Sequence, residues 1–353
     1  MTTAGCRAPS TALRLLVLTV GVAAVLASAV IALGTGPVHV PAGQVLEVVA
    51  RRMQLIGGAG VTPMDDEIVW QLRLPRIVAA MAVGAALAQC GCVLQSLTRN
   101  DLADPYLFGV SSGAAVGAVS ALILGWTLPG IPSRYGVAGT AFVGALVALV
   151  LVLALATGRS GQLPPGRTIL AGVAVGQLCS AATSFIVIVL GPRDGARAVL
   201  DWTLGSFAGV RGGDAVFLVA LLVAAMIGLG LCAPALDAFA FGEVSARSLG
   251  VNVTTIRWIL LTGTALMTAA TVAVVGPIGF VGLVVPHVVR LVTGPGHRIL
   301  LPASAICGAL LMLWSDTAAR TLGGGSEIPI GVVTAAVGTP VLIVLLRRQA
   351  RRA

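Results

Sequence analysis

Hydrophobic residues in this chain fall into ten long stretches that alternate with short polar connectors. A helix needs roughly 20 apolar residues to cross the hydrocarbon core of a bilayer, and each stretch is close to that length. The pattern therefore predicts an all-α, polytopic membrane protein with ten transmembrane helices in one domain over residues 1–353. The predicted spans are residues 13–34, 76–96, 107–126, 137–157, 168–190, 214–234, 258–275, 277–293, 299–317 and 329–346.

The first span also has features of a secretory signal. Arg7 and Arg14 precede or begin the apolar run, and Ala27-Ser28-Ala29 resembles a signal-peptidase site. Because the run is long enough to span, we expect a retained transmembrane helix. Removing it would leave nine spans and place the arginine-rich C-terminus outside the cell.

Composition narrows the class of protein further. The chain is 57% hydrophobic and 10% charged, against about 25% charged residues in a soluble domain. That balance excludes a soluble globular or a disordered protein. The net charge of +9 does not by itself indicate nucleic-acid binding, because that requires basic residues clustered on one face. All 22 basic residues are arginine, and a P-loop requires lysine. Any ATPase must therefore be a partner chain.

The arginines also predict the orientation. With the N-terminus in the cytoplasm, cytoplasmic segments carry 13 of the 22 arginines, as the positive-inside rule requires. We therefore expect a plasma-membrane protein with both termini in the cytoplasm. The predicted cytoplasmic set is Arg7, Arg14, Arg99, Arg159, Arg167, Arg247, Arg257, Arg290, Arg298, Arg347, Arg348, Arg351 and Arg352.

Two outer segments carry candidate binding residues. Arg73 and Arg76 flank Pro75 just before the second span and, being three apart, share one face of a helical turn. Arg320 lies at the outer end of the ninth span, four residues after Asp316. The alternatives to a binding role are interfacial snorkelling for the first two and a local ion pair for Arg320.

The connector after the second span, QSLTRNDLADPYLFGVSSGAAVG, carries glycines at positions 109, 113 and 117, a spacing typical of a close-packing helix face. Ser111 and Ser112 are candidate nucleophiles only if a base lies within hydrogen-bond reach. The nearest candidate is His287, far away in sequence, so an intramembrane serine protease is a weak alternative. His287 and Arg290 lie three apart with no second histidine or carboxylate near them in sequence, which favours a structural role.

The longest cytoplasmic connector, LDAFAFGEVSARSLGVNVTTIR, predicts a short helix. Glu243 and Arg247 are four apart, and Gly250 suits the end of a helix. Such a helix between two spans is either a docking handle for a soluble subunit or a solvated loop. The six cysteines form no CxxC pair and no cluster with histidine, so we predict no metal site.

Taken together, these segments resemble the FecCD family of ABC-importer permeases. The matching phrases are RLPRIVAAMAVGAALAQCGCVLQ, NDLADPYLFGVSSGAAVGA, FGEVSARSLGV, GPIGFVGLVVPHVVRL and SEIPIGVVTAAVGTPVLIVLL, in the family's order from about residue 68 to 347. The resemblance implies the type II ABC importer permease fold. It also implies a non-enzymatic subunit that binds no cofactor itself and depends on the ATP used by a partner ATPase.

The resemblance further implies partners and site residues. The partners are a second permease chain (an identical or a related one), two ATP-binding cassette subunits and an extracytoplasmic substrate-binding protein. The implied docking residues for the binding protein are Arg73, Arg76 and Arg320, the ATPase coupling loop holds Glu243, Ala246, Arg247 and Gly250, and the cytoplasmic gate uses Asn100 and Leu102. The family usually has proline where this chain has Asp101, which puts a negative charge beside the gate.

The family's commonest cargo is a ferric siderophore, so that is the expected substrate, with cobalamin and haem as alternatives. A secondary transporter driven by an ion gradient is a more distant alternative. Such transporters tend to bury acidic residues or histidine within their spans, whereas here aspartate and glutamate fall almost entirely in connectors.

Overall fold

A computed structural model describes residues 11–54, 62–130, 132, 135–158, 161–192, 195–323 and 326–350. Within these ranges every regular element is helical. Four arginines of the predicted cytoplasmic set lie outside the described residues, namely Arg7, Arg159, Arg351 and Arg352, and the side chains of Arg14 and Arg348 are also outside the description.

The described ranges contain fourteen α-helices, and ten of them correspond to the predicted spans. The helices are α1 (Thr11–Gly34), α2 (Ala42–Arg52), α3 (Pro63–Glu67), α4 (Leu74–Thr98), α5 (Val110–Leu124), α6 (Gly136–Ala156), α7 (Pro165–Phe185), α8 (Gly195–Thr203), α9 (Gly212–Ala240), α10 (Glu243–Ser248), α11 (Val253–Val275), α12 (Val281–Thr293), α13 (His297–Thr321) and α14 (Ile330–Ala350). A π-helical turn, Ile68–Arg73, joins α3 to α4, and another, Ile186–Leu190, extends α7.

Eight of the helical units in the described chain are long and apolar enough to cross a membrane. The other two predicted spans are apolar but shorter than expected, because α5 begins at Val110 and α12 begins at Val281. Residues with positive φ explain both late starts. Gly109 has φ +67°, and Phe280 has φ +70°, which is unusual for a bulky side chain. The prediction that the eighth span begins at residue 277 is therefore wrong, since residues 276–280 form a connector.

Helix α4 lies at the centre of the bundle. Within its spanning segment 89% of the residues are buried, compared with 6% for the segment that contains α7. Small residues make this central position possible, because they let helix backbones approach closely. A Cβ placed on Gly91 of α4 would lie 1.7 Å from the carbonyl oxygen of Gly282 in α12. Any side chain at Gly91 would therefore push the two helices apart.

The sequence led us to expect that the connector between α4 and α5 crosses the cytoplasmic surface. Instead, this connector folds back into the bundle. Pro105 contacts Gly282, which packs against Gly91, and Gly91 lies about 10 Å inside the end of α4 at 1.5 Å per residue. The Tyr106 hydroxyl donates to the Ile278 carbonyl at 2.9 Å and accepts from the Ile278 N–H at 2.8 Å. These bonds satisfy polar groups of a connector that lies inside the bundle.

In the described parts of the connectors there are four short helices (α2, α3, α8 and α10), and the sequence predicted only α10 among them. In α2 the two buried residues, Val45 and Val48, pack in an apolar cluster with α1, α4 and α13. We call the end of the bundle near α2 and Arg76 the outer end and the end near α10 the cytoplasmic end, after the predicted orientation.

Candidate functional site

The outer end of the bundle contains a buried group of charges, which we call the outer ionic cluster: Arg73, Arg76, Asp316, Arg320 and Glu327. The π-helical turn and the first turn of α4 position the first two arginines, and the last turns of α13 position Asp316 and Arg320. Glu327 lies on the segment that leads into α14. The structure thus brings the three predicted docking arginines together.

Two of these arginines contact the C-terminal end of α1. Arg73 donates to the Leu33 carbonyl at 2.7 Å and to the carbonyl of Val38 in the following connector. Arg320 lies close to the carbonyls of Ala32 and Thr35, at 3.3 and 3.2 Å. Carbonyls at the end of a helix lack partners within the helix and carry partial negative charge, so cations stabilise them.

Arg76 contacts two carboxylates instead. Its Nε donates to Asp316 Oδ1 at 2.9 Å, and its Nη1 donates to Glu327 Oε1 at 2.8 Å. The two carboxylates differ in exposure, since the Asp316 side chain is 1% exposed and the Glu327 side chain is 48% exposed. Asp316 also pairs with Arg320, whose Nε lies 3.1 Å from Oδ2.

These contacts refine the sequence interpretation of the outer end. The local ion pair between Asp316 and Arg320, considered as the alternative to a binding role for Arg320, is present, but it belongs to the larger cluster. Snorkelling does not describe Arg73 and Arg76, because their side chains are buried and hydrogen-bonded within the bundle. Although three apart, the two arginines have different partners. Within the described residues, Arg76 is the docking candidate that pairs with an exposed carboxylate.

At the cytoplasmic end, helix α10 forms as predicted, and a buried arginine holds its first residue. Arg257 of α11 donates from Nη2 to Glu243 Oε1 at 2.5 Å, whereas the predicted partner Arg247 lies 4.0 Å from Glu243. Arg257 Nη1 also reaches the Leu163 carbonyl at 3.4 Å. The bond from Arg257 lowers the pKa of Glu243 below its ordinary value. Sequence spacing gave no signal for this pair, which joins residues fourteen apart.

The other side of α10 presents apolar side chains to the surroundings. Val244 is 83% exposed, and Phe241 and Leu249 flank the helix in similarly open positions. Ala246 is fully buried, and Gly250 follows the helix with φ +82°, as expected of a residue that ends a helix. A cleft of about 510 Å³ opens beside Phe241 and Val244. No pattern in the sequence marked these three exposed apolar residues as a group.

The predicted gate residues line a second cytoplasmic cavity, of about 500 Å³. The Asn100 side chain accepts a hydrogen bond from the Leu102 N–H at 3.0 Å, which fixes the turn. Asp101 forms an ion pair with Arg290 and lies 3.7 Å from His287 Nδ1. The expectation that no carboxylate lies near His287 is therefore wrong. Arg290 compensates the negative charge that Asp101 adds to the gate.

The serine nucleophile hypothesis is not supported at the predicted residues. In the described part of the chain, no hydrogen bond joins Ser111 or Ser112 to His287. A different serine meets a histidine: Ser96 Oγ lies 2.6 Å from His297 Nε2, and His297 Nδ1 lies 2.7 Å from Asp237 Oδ1. This chain of contacts ties together the cytoplasmic ends of α4, α13 and α9.

Known proteins resemble this chain over most of its length. The cobalamin import system permease protein BtuC of Halobacterium salinarum is 41% identical over 294 residues, which are 83% of this chain and 77% of the relative. The vitamin B12 import system permease protein BtuC of Salmonella schwarzengrund is 39% identical over 307 residues, which are 87% of this chain and 91% of the relative.

Two solved structures share the fold. One, described as an inward-facing conformation of a metal-chelate type ABC transporter, has a TM-score of 0.80 and 30% identity over 94% of this chain and 98% of that one. The PsaBC structure from Streptococcus pneumoniae in complex with Fab has a TM-score of 0.57 and 17% identity over 80% of this chain and 93% of that one. A model of the FecCD transport family matches residues 24–348. This multi-pass membrane protein therefore belongs to the FecCD transport family and is a permease subunit of an ABC importer.

Proposed function

We propose that this permease moves cobalamin or a related corrinoid across the plasma membrane into the cytoplasm. The observation that carries the proposal is the similarity, near 40% identity over more than four-fifths of the chain, to permeases named for cobalamin and vitamin B12 import. The ferric siderophore expected from the sequence becomes the second candidate. The similarity to a solved structure described as a metal-chelate type ABC transporter supports this second candidate.

The partners in this proposal act at opposite ends of the bundle. An extracytoplasmic binding protein delivers the cargo to the outer end, where carboxylates on its surface meet the arginines of the outer ionic cluster. The planar guanidinium of arginine pairs with a carboxylate through two parallel hydrogen bonds, which suits such contacts. A partner ATPase binds at the cytoplasmic end against the exposed side chains of Phe241, Val244 and Leu249.

In this mechanism the permease changes conformation and makes no covalent bond. ATP binding and hydrolysis on the partner stabilise outward-facing and inward-facing states by different amounts, and the permease follows that difference. Helix α10 carries the signal, because the bond between Glu243 and the buried Arg257 joins it to the spanning helix α11. Asn100 and Leu102 close the cytoplasmic side between cycles.

Reconstituted transport tests the function and its cargo. The permease, its ATPase and its binding protein are placed in proteoliposomes, and uptake of cobalamin, ferric siderophores and haem is measured separately. We expect ATP-dependent uptake of cobalamin that requires the binding protein. Preference for a ferric siderophore or haem would overturn the cargo assignment. Uptake that persists without ATP and stops on addition of a protonophore would instead support a secondary transporter.

A further inference from the structure

Arg76 has one partner that an incoming molecule can replace. Asp316 lies in the bundle interior and stays bonded to Arg76 Nε, whereas nearly half of the Glu327 side chain faces the surroundings. Arg73 and Arg320 differ in this respect, because carbonyls at the end of α1 and the buried Asp316 hold them. A carboxylate that approaches from outside therefore meets Glu327 before it meets any guanidinium of the cluster.

Replacement of Glu327 is favourable in charge and in geometry. Three arginines and two carboxylates give the outer ionic cluster a net charge of +1, and departure of Glu327 raises it to +2. An incoming glutamate or aspartate restores the original charge and offers Arg76 Nη1 the same type of acceptor. Meanwhile Asp316 keeps the buried Arg76 guanidinium paired with a carboxylate during the exchange.

Glu327 is also tied to the start of α14. The N–H of Ile328 bonds to the Ala319 carbonyl at 3.1 Å, and the N–H of Ile330 bonds to the Gly205 carbonyl at 3.2 Å. The N–H of Gly331, in the first turn of α14, bonds to the Leu204 carbonyl at 2.9 Å. A change at Glu327 therefore acts on a short segment that connects α13, the end of α8 and the first turn of α14.

We propose that Glu327 pairs with Arg76 in the undocked permease. On docking, an acidic side chain of the binding protein replaces Glu327 at Arg76 and releases the segment before α14. This inference rests on the proposed function, since it requires docking at the outer end. In this inference Glu327 competes with the binding protein for Arg76. Arg76 is then the arginine through which docking affects the spanning helix α14.

The test compares binding-protein affinity for three variants of the permease–ATPase complex in lipid nanodiscs. Glu327→Gln removes the competing charge and leaves the Arg76–Asp316 pair intact. Glu47→Gln, on α2 at the same end, makes the same change in net charge and serves as the control. Arg76→Gln removes the docking contact. If this variant does not fold, Arg76→Lys is used in its place.

We expect about fivefold tighter binding for Glu327→Gln, no change for Glu47→Gln and weaker binding for the Arg76 variant. Unchanged or weaker binding for Glu327→Gln, together with weaker binding for the Arg76 variant, would overturn the exchange and leave the docking site standing. Equal tightening in Glu327→Gln and Glu47→Gln would reduce the effect to net charge and also overturn it. Full binding by the Arg76 variant would remove Arg76 from the docking site, and the exchange with it.

Discussion

The two ends of the bundle each place a buried arginine against a carboxylate of a connecting segment, but the arginines differ in what else holds them. At the outer end Arg76 pairs with Glu327 and also with the buried Asp316. At the cytoplasmic end Arg257 pairs with Glu243, and its other contacts are a carbonyl at 3.4 Å and the Phe239 ring, 5.8 Å away. Of these two arginines, Arg76 alone contacts a second carboxylate within the described part of the chain.

This difference separates an exchangeable contact from a fixed one. If Glu327 leaves Arg76, the buried guanidinium still pairs with Asp316, which it shares with Arg320. If Glu243 leaves Arg257, a buried arginine remains without a counter-charge, which is expensive in free energy. The outer end is therefore suited to a partner that binds and departs. The cytoplasmic end is suited to holding α10 on α11, which fits the ATPase contact proposed above.

The largest expected effect comes from removing the carboxylate that makes the outer contact exchangeable. Asp316→Asn leaves Arg76 and Arg320 facing a neutral amide inside the bundle. Breaking a buried ion pair by removing one partner costs about 3–5 kcal/mol, so we expect the thermal unfolding midpoint of the purified permease to fall by several degrees. Differential scanning fluorimetry in nanodiscs measures it.

The exposed pair at the same end provides the control for this variant. Asp66→Asn breaks an ion pair with Arg52, whose side chain is 42% exposed, and exposed pairs are worth roughly 0–1 kcal/mol. Equal losses of stability in the two variants would show that burial does not distinguish the outer ionic cluster from a surface pair. The contrast between exchangeable and fixed contacts would then lose its physical basis.

Much of the fold could be predicted from the sequence, because a spanning helix leaves a long apolar signal in consecutive residues. The apolar signal failed where apolar residues are not part of a helix. Residues 276–280 are apolar enough to extend a span, yet the positive φ of Gly276 and Phe280 makes them a connector. Helix α2 went unrecognised because two buried valines in eleven residues give too short a pattern.

The candidate sites could be predicted as residues, but most of their contacts could not. The family phrases gave Arg76, Arg320, Glu243 and Gly250, and each lies at an end of the bundle. The spacing of four residues gave the pair of Asp316 with Arg320. Other partners come from distant parts of the chain, since Arg76 and Asp316 are 240 residues apart. No spacing rule for a single helix reaches that far. For the same reason, the ion pair between Asp101 and Arg290 had no signal in the sequence.

The second prediction breaks the fixed contact at the cytoplasmic end. Arg257→Met keeps an unbranched apolar stem but removes the guanidinium that holds Glu243. The Glu243 side chain is 41% exposed, which limits the worth of this bond to about 1 kcal/mol. We therefore expect α10 to pack less firmly on α11 and ATP-dependent uptake to fall about fivefold.

Arg247→Met is the matched control, because Arg247 lies 4.0 Å from Glu243 and is largely exposed. It should leave uptake within about twofold of the original. If both variants transport alike, Arg257 does not position α10, and the cytoplasmic end is no more rigid than the outer one.

The smallest expected effect is the pH dependence of stability that arises from the bond between Arg257 and Glu243. The bond from Arg257 lowers the pKa of Glu243 from its ordinary value of 4.5. A lowered carboxyl pKa contributes stability that is fully present above the ordinary value and is lost as the pH falls through the folded value. Because Glu243 is partly exposed, solvent screening limits the contribution to about 1 kcal/mol or less.

The difference in unfolding midpoint between the original protein and Glu243→Gln should therefore stay constant from about pH 8 to about pH 5 and shrink below that. A difference that instead shrinks as the pH rises from about 5 to about 8 would have the opposite sign, and it would show that Glu243 is not held as a carboxylate by Arg257.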